Sequence, residues 1–138
     1  MIVETLTAIK AAFLADSAIG GPLGDRIHNY EAPQETAFPY LVFSISSTAE
    51  DHVLRAATNS GNAWRFTIDV QIVDAEKKTH AQISAIADAV LSRLLVEDLP
   101  FSPADRYSFN VRLLNFSQGV TDERPTATLQ FSMSVAFN

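Results

Sequence analysis

Three kinds of side chain in this sequence have the chemistry for catalysis or metal binding: imidazoles, hydroxyls and neighbouring carboxylates. The imidazoles are His28, His52 and His80. Zinc ligands come at short spacings such as HxH or HExxH, which place two nitrogens on one metal. These three lie far apart and match no such pattern, so they read as solvent-exposed histidines of loops or a helix start. Serine is plentiful, but none occupies the G-x-S-x-G elbow that presents a nucleophile. Ser44, Ser46, Ser132 and Ser134 fall on the polar phase of predicted strands, facing solvent or a partner. The carboxylate pairs Glu50-Asp51, Glu97-Asp98 and Asp122-Glu123 each fall in a predicted loop or helix end. Solvated loop charge explains them better than general acid–base work. No P-loop or G-x-G-x-x-G occurs, and Gly20, Gly21 and Gly24 read as a helix stop rather than a phosphate cradle. Cysteine is absent, which excludes disulfides and thiolate catalysis and fits a reducing compartment. No catalytic residue, metal site or cofactor is expected.

Charge narrows the partners. The formal net charge is −6 and the pI about 4.9. A protein that grips nucleic acid by its phosphates shows a basic patch. Here the ten Lys and Arg are scattered, with only Lys77 and Lys78 adjacent. Acidic walls do suit a passage through which DNA slides without sticking. The first residues, MIVETLTAIKAAFLAD, lack the basic start of a signal peptide. No apolar run approaches the roughly 20 residues of a membrane span, so no membrane partner is expected.

The elements that would position these groups follow from periodicity. Ile2, Leu6, Ile9 and Phe13 recur at helical spacing and predict a helix over about residues 2–15. Gly20-Gly21-Pro22 should end it. A mostly irregular connector follows, in which Arg26-Ile27-His28 could form a short extended piece. Pro39 has no N–H and a fixed φ, so it fits a strand's start and not its middle. Strand one spans 40–47, with Leu41, Phe43 and Ile45 on one face. Strand two is the clearest: Trp64, Phe66, Ile68, Val70 and Ile72 alternate with Arg65, Thr67, Asp69, Gln71 and Val73. Burying five such side chains contributes roughly 10 kcal/mol gross, most of it offset by conformational entropy.

Thr79 and Gln82 resemble a capping box, and Ile83, Ile86, Val90 and Leu94 continue as a helical stripe to about residue 95. Strand three should cover 108–118, with Phe109, Val111 and Leu113 on its apolar face. Gly119 and TDERP should form a turn, and strand four should cover 126–137. The predicted fold is therefore α+β: one two-layer domain over residues 1–138, ordered α-β-β-α-β-β. Its four-stranded, largely antiparallel sheet should carry two helices on one face.

Two surfaces stand out. The connector between strands one and two, 48–63, has about 16 residues where hairpins ordinarily use roughly two to five. It carries Glu50, Asp51 and Arg55 beside Val53, Leu54, Ala56 and Ala57, a mixture suited to ordering against another chain. Glu50, Asp51, Val53, Leu54 and Arg55 are thus the candidate oligomer or partner interface. The second surface is the polar strand face: Thr67, Gln71, Asn110, Thr128, Gln130, Ser132 and Ser134. It is rich in amides and hydroxyls and poor in charge, as expected of a face that packs on a neighbour.

The order of features resembles the tail-completion, or tail terminator, proteins of tailed bacteriophages and prophages. The residues that carry the resemblance are the Leu6/Ile9/Phe13 helix, Asp25-Arg26-Ile27, Pro33 and Phe38-Pro39-Tyr40-Leu41-Val42. The strand Trp64–Val70, the helix Ala81–Leu95 and two terminal strands complete it, so it covers nearly the whole chain. The resemblance implies a structural virion protein without catalytic residues. It implies a homo-oligomeric ring, commonly a hexamer, on the last layer of the phage tail tube protein. Such a ring stops tube polymerisation and presents a surface to the head connector protein, and DNA passes through it. The expected location is the head-proximal end of the tail, after assembly in the bacterial cytoplasm. Another head–tail connector or head-completion protein, or a small ligand-binding α+β domain, remain the alternatives. Against the last, the apolar strand phases hold almost no polar residue to line a pocket.

Overall fold

A computed structural model describes residues 2–50, 63–76, 78–96, 98–102 and 105–137. The chain begins with α1 (Ile2–Ala15) and α2 (Ser17–Leu23), followed by β1 (Ile27–Asn29), β2 (Tyr40–Glu50) and β3 (Ala63–Val73). Then come α3 (Ala81–Val96), β4 (Arg106–Thr121) and β5 (Arg124–Phe137). The five strands form one sheet in the order β1-β2-β3-β5-β4. Only β1 runs parallel to its neighbour, β2; the other pairs are antiparallel.

The α+β class and the helices on one face match the sequence expectation. The four-stranded sheet and two-helix count do not: the described residues form five strands, one of them parallel, and three helices. The third helix, α2, lies in the segment read as a helix stop, while β1 is the short extended piece anticipated at Arg26-Ile27-His28, here paired to β2 as a fifth strand. Asp16 takes extended geometry and its side chain accepts from the Ala18 N–H, the N-cap arrangement that starts a helix. Gly20 and Gly21 lie inside α2, and Gly24, with φ +60°, ends it. Gly20 is needed there for space, because a Cβ would lie 2.6 Å from the Leu14 carbonyl oxygen.

The core lies between the helices and one face of the sheet. Phe13, Phe43, Phe66 and Phe131 are its largest fully buried side chains, and Phe13 and Phe43 meet edge to face at 6.0 Å. All five predicted inward positions of β3 pack into or against this core. α1 supplies Leu6, Ile9 and Phe13, and α3 supplies Ile83, Ile86, Val90 and Leu94. α3 begins one residue after the proposed cap pairing allows: the Ser84 N–H bonds to the His80 carbonyl, which makes His80 rather than Thr79 the capping residue. No described helix is long and apolar enough to cross a membrane.

Candidate interaction surface

Among the described residues no three of His, Cys, Asp or Glu group as a metal site. His28 and His80 are half-buried rather than solvent-exposed. His28 Nε2 and His80 Nδ1 are each buried without a hydrogen-bond partner. They occupy different elements, so nothing joins them into one site. The informative features are surfaces, and there are four.

The first is the sheet face that carries no helix. Its cross-strand rows can be read directly. One row is Ser44, Asp69, Gln130 and Asn115; another is Val42, Gln71, Thr128 and Ser117. Gln130 Nε2 donates to Asp69 Oδ1 at 2.9 Å. The polar, charge-poor face expected from sequence is thus formed, except at one end. There Phe109 pairs with Ser134 and Tyr107 with Ala136, and the two rings stack at 5.5 Å. The two aromatics cover this corner, and Ser134 and Ala136 are almost fully buried.

Phe109 therefore lies on the face opposite to the one its alternation with Val111 and Leu113 predicts. The cause is a β-bulge between Phe109 and Arg112, where Asn110 takes φ +55°. An extra residue in one strand reverses the phase of everything before it. A second bulge between Leu113 and Asn115 sends Leu114 to the open face, where it lines a hollow of about 160 Å³ with Arg65, Asn110, Arg112 and Ser132.

The second surface is the edge formed by β4. The strand continues through Gly119 to Thr121 and turns at Asp122 and Glu123 alone, both with positive φ, as a two-residue type I′ hairpin requires. The broad Gly119–Pro125 turn expected from sequence is absent: Gly119 and Pro125 are paired strand residues. Every residue from 112 to 123 is exposed. Among them are Leu113, Leu114, Phe116 and Val120, which is 65% exposed. Exposed edges normally carry Lys, Pro or inward charges that discourage pairing; residues 113–121 carry none.

The third is the opposite edge. A groove of about 280 Å³ lies there, lined by Val3, Leu6, Thr7, Lys10, Asn29 and Phe43. Nearby, Val3 is 73% and Tyr30 58% exposed. A larger hollow of about 400 Å³ adjoins it, between Ile2, Val3 and Glu4 of α1 and Thr48, Trp64 and Phe66 of the sheet. The Glu4 carboxyl is held below the usual carboxylate range, chiefly by hydrogen bonds from the α-amino group and its own backbone N–H, with Arg106 contributing less.

The fourth surrounds Phe38-Pro39-Tyr40. The Phe38–Pro39 peptide is cis, the rings of Phe38 and Tyr40 lie 5.4 Å apart, and the Arg124 guanidinium sits 4.9 Å over Phe38. Arg26 anchors this region. Its Nη2 donates to the Pro22 carbonyl at 2.9 Å and its Nε to the Pro39 carbonyl at 2.8 Å. Its own carbonyl accepts from the Leu41 N–H.

Of the five interface candidates read from the sequence, Glu50 is the last residue of β2, paired with Trp64. Asp51, Val53, Leu54 and Arg55 lie outside the described residues, as does His52. Thr48 and Ala49, read as loop, belong to β2. The β4 edge and the Arg26 anchor escaped the sequence reading. The signal for the first was present as apolar residues on both phases of 111–120.

A family model for the tail completion protein gp17 matches residues 7–135. The chain belongs to that family. As a tail completion protein it is a structural component of a phage tail and not an enzyme. Its fold is similar to a chain in the virion of a native gene transfer agent particle, with a TM-score of 0.74 and 17% identity over 94% of this chain and 92% of that one. A second solved chain aligns with a TM-score of 0.56 and 15% identity, over 99% of this chain and 93% of its own. Among curated proteins none matches significantly.

Proposed function

We propose that this tail completion protein assembles into a ring, a hexamer by analogy with the family it resembles, that caps the head-proximal end of a tail tube. The ring ends tube polymerisation, offers a surface to the head connector, and lets DNA pass through its hole without specific binding. The whole chain, 1–138, serves as one such domain. It is assembled in the cytoplasm of the bacterial host of a phage or prophage and is carried into the virion. The family match over residues 7–135 carries this reading. The charge-poor open sheet face and the net charge of −6 support it, since a DNA passage gains nothing from basic walls. Residues 50–55, including Glu50, Asp51, Val53, Leu54 and Arg55, contact a neighbour at the rim.

The test is to add purified chain to polymerising tail tubes and follow their length by electron microscopy. Tubes should stop growing and show extra density at one end. Equal growth with and without the chain would sink the reading.

A further inference from the structure

The two outer edges of the sheet differ, and they match each other. One edge, β4, is a projecting apolar ribbon; the other is a groove between α1 and β1. Four inter-strand gaps of roughly 4.8 Å put these edges about 19 Å apart. They are also level. Asn29 pairs with Phe43, Phe43 with Val70, Val70 with Leu129 and Leu129 with Phe116. One cross-strand row therefore runs from the β1 edge to the centre of the exposed part of β4. Strand directions agree as well. β1 is parallel to β2, and three antiparallel steps separate β2 from β4, so β4 runs opposite to β1. A second copy displaced sideways along the sheet brings its β1 edge antiparallel against this copy's β4.

The contact joins two different edges, so it is heterologous, and heterologous contacts build rings or filaments rather than two-fold dimers.

We infer that adjacent copies join head to tail, with the β4 edge of one seated against the α1–β1 edge of the next. Phe116 and Leu113 pack toward the groove lined by Val3, Leu6 and Phe43. The inference rests on the ring reading and names the surface that closes it.

The absence of cysteine makes the test clean. Ser117→Cys and His28→Cys sit on the adjacent level row, His28-Val42-Gln71-Thr128-Ser117, on the open sheet face. Mixed under oxidising conditions, alone and on tail tubes, the two single variants should give a disulfide-linked heterodimer, and neither should link to itself. A self-linked Ser117→Cys product would show two-fold β4–β4 pairing and overturn the inference. So would the lack of any cross-link, whether the chain is oligomeric or monomeric.

Phe116→Lys should lower the oligomeric fraction more than tenfold with an unchanged circular dichroism spectrum; an unchanged mass distribution overturns the inference. Rings that form without the cross-link leave the ring reading standing and remove this interface. Cross-linked chains of no fixed length keep the interface and remove the ring.

Discussion

β3 and β4 are both long strands of one sheet, yet they obey different rules. β3 lies between β2 and β5 and pairs along its whole length with both. Its inward side chains Phe66, Ile68, Val70 and Ile72 are fully buried. A slip of one residue there would drive Arg65 and Asp69 into the core, so burial enforces strict alternation. Among the described residues β4 has a partner on one side only, and it holds two bulges. Its outer two-thirds is exposed, so a shift in phase costs it little. Regular alternation is thus a property of strands whose two neighbours and one face are all committed. An edge strand is free to be shaped by what it must meet outside the chain.

The contrast can be broken by substitution. Phe66→Ala should cost about 3–5 kcal/mol in urea unfolding, because it opens a cavity in a fully packed site. Phe116→Ala, the same truncation on β4, should cost under about 1 kcal/mol. Equal losses would erase the distinction. Asn110→Val probes the bulge. A β-branched residue at φ +55° should destabilise by roughly 1–2 kcal/mol, while Asn110→Gly should be nearly neutral; a harmless valine would mean that the bulge is not fixed. Glu123→Gly should raise stability by about 0.5–1 kcal/mol, since glycine adopts positive φ without strain and Asp-Gly suits this turn. Leu114→Thr should change the unfolding free energy of the monomer by less than about 0.5 kcal/mol, read by the same titration.

How much was legible in the sequence follows the same line. α1, β3 and α3 were readable because each buries one regular stripe. α2 was not, because Gly20, Gly21 and Pro22 signal a stop locally. What overrides them is the Asp16 cap and the close approach to Leu14 that only glycine permits. β1 was anticipated as a short extended piece at Arg26-Ile27-His28, but its three residues are too few to show a period, so its parallel pairing on β2 was not legible. In β4 the apolar residues were visible, but their faces were not. Asn110 gives no local sign that it will take positive φ, and the two bulges decide the rest. The polar sheet face was legible from Thr, Ser and Gln on one phase. The apolar edge beside it was not, because Phe109, Val111 and Leu113 read as a single core stripe.

The Arg26 side chain bonds the carbonyls of Pro22 and Pro39, and its carbonyl accepts from Leu41. The ends of the intervening stretch are therefore fastened independently of its middle. Glu31, Pro33, Gln34 and Glu35 in that stretch are exposed. Each doubling of a loop's length adds only about 0.6 kcal/mol of closure cost. Residues 33–35 are consequently the place to graft a foreign peptide: a display site whose length can change while the strands on either side keep their register.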